Sequence, residues 1–298
     1  MANGKNLAFI AIVSWLAIAA IFQWWDIIPI SKYGLLNSIE RSSSAISMPS
    51  AANDVASSSS PSMKFKTMNP ASISTTKAAL IDKWALLKRY TTTNLVCPNK
   101  VRVGKEGQGD GGKWACAPWK AAGDNCIVYS LGVWNDVSFE SDLYKRSKHR
   151  CKTFSFDSVQ QSLNLFKPFN GTFMKVHLAA VTNATENRMS LFDIMKHYNH
   201  TRLEILKMDI EEWEFEVMNS FLESVEITPA KTVICQFLVE FHAFFNLTKK
   251  IDLWLPMFEK LEKNGFLLFS TEKNVDCCHE FSFMHVSCMR QYGLPDFE

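Results

Sequence analysis

The sequence predicts an α/β domain: a mostly parallel sheet with helices on both faces, closed by a terminal antiparallel pair. Three observations carry this reading. From Cys126 onward, apolar runs of strand length alternate with segments of helical period. Ile205, Leu206, Met208 and Ile210 form the near-continuous apolar run of a strand buried on both faces, and the period switches at Asp209–Glu212 to the helical spacing of Trp213, Val217, Phe221 and Leu222. The last two strand-like segments have no helix between them, so they pair antiparallel at the sheet's edge.

A helix is expected first, with Leu80, Ile81, Trp84 and Leu87 on one side of TTKAALIDKWALLKRY. Cys126–Leu131 is the first strand of the alternation; Gly132 opens a loop, and Asn135 or Asp136 can cap a helix running to about Ser147. Cys151–Phe156 is the next strand and ends in Asp157, Phe173–Val181 the third, Leu191–Tyr198 a helix and Glu204–Ile210 the fourth strand. Lys231–Phe241 makes a fifth. Ile251–Asn264 is a helix whose Trp254, Phe258 and Leu261 share a face before Gly265 ends it, and Phe266–Ser270 with Glu280–Val286 close the domain.

The flanking sequence is of another kind. Leu7–Trp25 is uncharged, about long enough to cross a bilayer, preceded by Lys5 and finished by Trp24 and Trp25, which suits a signal anchor with a cytosolic N-terminus. A cleaved signal peptide is the rival, because Ala17 and Ala19 form an A-x-A-like site. Either sends the remainder into the secretory pathway, to the lumen of the endoplasmic reticulum or Golgi or, if cleaved, outside. Residues 1–25 are thus expected as anchor, 26–75 as a Ser-rich flexible stem and 76–298 as the folded domain. Asn170, Asn183, Asn199 and Asn246 each begin a glycosylation sequon. With 47% hydrophobic residues the chain has material for one sizeable core, and a formal charge of +2 gives no electrostatic footprint for nucleic acid.

The eight cysteines suit an oxidising compartment. Cys126 and Cys151 begin strands that should be parallel neighbours, and a strand spacing of about 4.8 Å permits a bridge between them. Cys97 with Cys116 is the next expected pair, and a link among Cys277, Cys278 and Cys288 the third; Cys235, inside an apolar strand, is expected as a buried thiol. GQGDGGK, Gly107–Lys113, satisfies two phosphate-loop patterns on paper. Trp114 stands where a Walker loop needs Ser or Thr and Pro118 soon intervenes, so a tight turn between Cys97 and Cys116 is expected instead.

In an open parallel sheet, ligands bind beyond the carboxyl ends of the strands, where Asp209 and Glu211 fall. An acid that interrupts an apolar run needs a partner or a task. Glu211, Glu212 and Glu214 could instead simply favour the positive end of the following helix. On the fifth strand Gln236, Glu240 and His242 share a face by period two, the last two at its carboxyl end. His242 is a candidate base for a hydroxyl acceptor, since an ordinary imidazole titrates near neutrality, and Glu240 a candidate acceptor contact. Asp209, Glu240 and His242 lack a diagnostic metal-ligand spacing, so no metal is expected.

The order of elements, together with CIVYSLGVWNDVSFE, FSFD, LEILKMDIEEWEFEVM, CQFLVEFH and the DGGKWxC lead at Asp110–Cys116, resembles the animal methyltransferase-like proteins related to the FkbM methyltransferases, over roughly Leu95–Val286. The resemblance implies the Rossmann-like class I fold, a seven-stranded sheet of order 3-2-1-4-5-7-6, and S-adenosylmethionine as cofactor. Gly132 would then allow close approach of the donor, Asp157, twenty-five residues on, would accept from the ribose hydroxyls, and Asp209 would face the donor's amino-acid end or the acceptor. Asp209, Glu211 and His242 form the expected catalytic set. The sequence departs from the family pattern at Glu212, where glycine is usual, and keeps only Gly132 of the glycine-rich donor motif. The expected activity is methyl transfer to a hydroxyl or carboxylate of a small-molecule, glycan or lipid acceptor. Two rivals stand beside it: an interaction module that has lost donor binding, and a lumenal glycosyltransferase in which Asp209 and Glu211 hold a metal and a nucleotide sugar.

Overall fold

The structure, a computed structural model, describes residues 81–105, 111–121, 125–227, 232–243, 247–275 and 277–295. All lie in one compact unit, Thr67–Glu298. The expected anchor and stem fall outside the described residues; among those described, no helix is long and apolar enough to cross a membrane.

Strands β1 (Lys100–Gly104) and β2 (Gly112–Cys116) form a separate antiparallel hairpin. The main sheet uses β3 (Ile127–Leu131), β4 (Lys152–Asp157), β5 (Thr172–Lys175), β8 (Arg202–Met208), β9 (Val233–His242), β10 (Phe266–Val275) and β11 (Cys278–His285). Its spatial order is β10-β11-β9-β8-β3-β4-β5. Numbering only these seven in chain order, the sheet reads 3-2-1-4-5-7-6 from the β5 edge, with all pairings parallel except those made by β11. The Rossmann-like topology implied by the resemblance is therefore present.

Helices α1 (residues 81–90), α2 (Ser138–Arg146), α3 (Leu191–His197), α4 (Glu214–Ile227) and α5 (Leu247–Lys263) cover the sheet. Alternate residues of the central strands explain why the sheet is buried on both faces. Tyr129, Leu131, Leu206, Met208, Phe237 and Phe241 pack into one core with α4 and α5, whereas Val128, Ile205 and Leu238 pack into the other with Phe139 and Leu143 of α2 and Ala115 of the hairpin. Each face removes a continuous apolar layer from water.

Three expectations change. The third strand does not run to Val181. β5 stops at Lys175, the Val176 amide donates to the Asp157 carbonyl, and His177–Leu178 (β6) pairs with Arg188–Met189 (β7) in a small sheet of its own. Most of the glycine-rich stretch expected as a turn lies outside the described residues, and its end, Gly112 and Lys113, belongs to β2, paired with β1 in a hairpin that the sequence pattern does not predict. The closing strands are longer than expected and carry register shifts at Leu268/Ser270 and Lys273/Val275.

The disulfides Cys126–Cys151 and Cys97–Cys116 join the cysteines expected to pair. Cys235 is not a thiol: it bonds Cys288 just beyond β11, while the neighbours Cys277 and Cys278 bond each other. An apolar strand context marks burial equally well for a thiol and for half a bridge.

Candidate active site

The strand order reverses between β3 and β8, and the residues that follow these strands meet at the carboxyl rim. The Asp209 amide donates to the Leu131 carbonyl at 3.0 Å, and the Gly132 amide to the Phe156 carbonyl at 2.9 Å. Gly132 has φ +75°, and a Cβ there would lie 1.7 Å from the Asp209 carbonyl oxygen. Glycine is thus required first by the crossing of two backbones.

Asp157 ends β4 beside them. Its Oδ2 accepts from the amides of Val133 at 3.0 Å and Trp134 at 2.7 Å, and its Oδ1 from Val159 at 2.8 Å. A carboxylate has about four acceptor positions. Asp157 spends three on shaping the loops after β3 and β4 and keeps one, on Oδ1. The loop it shapes presents Trp134, which is 65% exposed and has φ +44°. Gly132, Asp157 and Asp209, separated in sequence, are brought together along one rim.

A second group of side chains adjoins Asp209. Lys113, only 1% exposed, reaches from β2 to Asp209 Oδ2 at 3.1 Å, Glu240 Oε2 at 3.2 Å and Glu280 Oε1 at 2.9 Å. Glu240 and Glu280 are directly opposed in the β9–β11 register, an arrangement of like charges that needs a cation between them. Burial acts to depress Lys113, but the three carboxylates outweigh it and hold the ammonium above its ordinary value. Burial would raise Asp209, yet Lys113, Lys207 and His242 hold its carboxyl below the usual range. Glu280 goes the other way: burial, only partly offset by Lys113, lifts it to about 7. The hairpin is locked to the sheet by the Gln236 amide, which exchanges two 2.8 Å hydrogen bonds with the Cys116 backbone.

His242, 5% exposed, joins Nδ1 to Glu214 Oε1 at 2.9 Å, and the same oxygen accepts from the Ile210 amide. Its Nε2 lies 3.9 Å from Asp209 Oδ1 and 3.7 Å from Glu211 Oε2. Burial alone would lower the imidazole, but the hydrogen bond and charge of Glu214, followed by Asp209 and Glu240, raise it to about 9. His242 thus sits at the strand end expected for it and holds its proton more tightly than an ordinary imidazole does. Of the three glutamates after Asp209, Glu214 is buried at the start of α4, while Glu211 is 73% exposed. Glu211 and Glu212 have φ +57° and +76°, the left-handed region in which the glycine usual at position 212 is most at ease.

Sequence reasoning missed Lys113, Glu214 as the partner of His242, and Glu280. Lys113 lies in the DGGKWxC lead and stands immediately before Trp114 in β2, so the signal was present but was read only as a turn.

A family model described as a methyltransferase domain matches residues 52–286. The chain belongs to that family. Family membership implies S-adenosylmethionine as methyl donor for this methyltransferase domain. The chain is 20% identical over 222 residues to human "Probable methyltransferase-like protein 24", a stretch covering 65% of this chain and 58% of that protein. It is 22% identical over 166 residues to the rat protein of that name, covering 50% and 44%. The matches thus span about half the length of those relatives, and they do not extend to the FkbM relation. Among solved structures, a Plasmodium falciparum ribosomal RNA methyltransferase aligns with TM-score 0.36 at 11% identity over 54% of this chain and 87% of that one. A Methanococcus jannaschii fibrillarin aligns with TM-score 0.34 at 8% identity over 65% and 86%. These two likenesses are loose.

Proposed function

We propose that this domain transfers the methyl group of S-adenosylmethionine to an oxygen of an acceptor bound at the carboxyl rim of the sheet. The observation that carries the reading is the meeting of Gly132, Asp157 and Asp209 at the strand-order reversal. The remaining acceptor position on Asp157 suits a ribose hydroxyl, and the exposed Trp134 supplies an aromatic face beside it. When bound, the donor supplies an activated methyl group, so the protein's work is alignment and electrostatics. Asp209, kept ionised by Lys113, is the anionic partner for the donor's ammonium or for an acceptor hydroxyl. His242 and exposed Glu211 border the same place and orient the acceptor, with Glu240 behind them held by Lys113 and Asn274.

The acceptor class is a hydroxyl or carboxylate of a small molecule, glycan or lipid, met in the lumen of the secretory pathway with the N-terminal apolar segment holding the chain at the membrane. Four disulfides support an oxidising compartment. Asn170 and Asn199 are exposed and Asn183 partly so, as glycan attachment requires.

Calorimetric titration of the full chain with S-adenosylmethionine, and separately with nucleotide sugars plus manganese, tests the reading. Saturable donor binding that weakens in Asp157→Ala supports it. Binding of nucleotide sugars alone would turn the assignment to glycosyl transfer, and binding of neither would leave an interaction module.

A further inference from the structure

We infer that Asp209, Glu211 and His242 form a binding site for a divalent first-row transition-metal cation. One ligand atom from each lies within 4.8 Å of the other two. The three come from the ends of β8 and β9 and from the turn between β8 and α4, so the fold rather than chance surface proximity assembles them.

The histidine is the informative member. Glu214 Oε1 accepts from Nδ1 at 2.9 Å, which fixes the ring and directs Nε2 toward Asp209 Oδ1 at 3.9 Å and Glu211 Oε2 at 3.7 Å. A carboxylate behind one ring nitrogen is the arrangement that holds a metal-ligating imidazole in the required tautomer. Asp209 is pinned in the same way: Lys113 takes Oδ2 and leaves Oδ1 turned to the histidine. Two ligands are thus held in place from behind, and Glu211, on the exposed side, can close onto an ion.

The dimensions agree. Metal–nitrogen and metal–oxygen bonds of about 2.0–2.2 Å place neighbouring ligand atoms roughly 3–3.5 Å apart, so the two separations from the histidine, 3.9 and 3.7 Å, need to shrink by several tenths of an ångström, and the exposed Glu211 side chain is the one that moves. Charge points the same way. The ion would take the place of the His242 Nε2 proton, and around it the carboxylates of Asp209, Glu211 and Glu240 outnumber the ammonium groups of Lys113 and Lys207. One imidazole with two carboxylates suits manganese or zinc better than calcium. A second grouping, Glu240, His242 and Cys278, is unsuited because Cys278 is bonded to Cys277.

The use we assign to the ion, gripping and acidifying an acceptor hydroxyl, rests on the methyl-transfer reading; its binding does not. The full chain, stripped with chelator, is titrated with Mn2+ while the electron paramagnetic resonance signal of free ion is followed, and Zn2+ is added as competitor. Saturation at a single ion per chain, displaced by Zn2+, is expected. Glu211→Gln is expected to weaken binding at least tenfold with unchanged circular dichroism and melting temperature, since that side chain is exposed, and His242→Gln and Glu214→Gln to weaken it roughly 10–100-fold. Absence of saturable binding, or Glu211→Gln and His242→Gln titrating like the parent, overturns the site. Donor affinity is measured separately in excess chelator. Ion binding without donor binding would sink the methyl-transfer reading and leave the site standing, and the converse would sink the site alone.

Discussion

Replacing Asp157 by alanine tests whether this acid is a structural tether as well as a donor contact. The change removes the acceptor of three backbone amides, those of Val133, Trp134 and Val159. Val133 is 2% exposed, so its amide is left unsatisfied where water does not reach, at a cost of about 1–3 kcal/mol. Trp134 and Val159 are exposed and recover water bonds, which adds less. A total of about 2–3 kcal/mol corresponds to a fall of roughly 4–12 °C in melting temperature for a domain of this size. Asp157→Asn keeps one oxygen for Val133 and Trp134 but turns an NH2 group toward the Val159 amide, so about 1 kcal/mol is expected. Calorimetric melting of the full chain, paired with titration of S-adenosylmethionine, reads both consequences. Stability should fall in the order parent, asparagine, alanine, with donor affinity falling alongside. An alanine variant that melts with the parent while losing the donor would refute the tether and leave a purely ligand-directed acid.

Lys113→Met should destabilise the domain by about 3–5 kcal/mol in urea, because it leaves Asp209, Glu240 and Glu280 without their shared cation; an unshifted unfolding midpoint would contradict the buried cluster. Glu280 should make stability depend on pH. Its folded value of about 7 lies above the ordinary 4.5, so the folded state holds the proton more tightly, and the contribution is complete below pH 4.5 and lost as pH rises through 7. The loss is on the order of 3 kcal/mol. Glu280→Gln should flatten that decline in a pH series of denaturation curves, and an unaltered slope would show that another group titrates there. Gly132→Ala should prevent stable folding or move the end of β8, since the added carbon would overlap the Asp209 carbonyl at 1.7 Å; a soluble variant with parental melting would exclude the backbone crossing.

The parallel core was legible because strands buried on both faces leave an unambiguous mark: Ile205, Leu206 and Met208 could hardly lie elsewhere. Asp209 and Asp157 were legible for the complementary reason that an acid closing such a run is costly without a partner. What the sequence concealed was pairing at a distance. Lys113 sits in a glycine-rich lead whose composition suggests a turn, and nothing local reveals that its ammonium meets acids 96, 127 and 167 residues away. Cys235 looked inert because hydrophobic neighbours carry no information about Cys288. The break at Val176 was invisible for a similar reason, since both sheets it connects bury apolar side chains. His242 was placed at the right strand end but given an ordinary proton affinity, and only the position of Glu214 corrects that.

The β1–β2 hairpin lies upstream of the first strand of the main sheet, yet it delivers the ammonium around which the acidic rim is organised. A fragment cut to begin at Ile127 would retain every strand of the seven-stranded sheet and still lack its central counterion. The Cys97–Cys116 bridge fastens the base of this arm, which makes the electrostatic balance of the rim sensitive to reducing agents even though no sulfur belongs to the proposed ligand set.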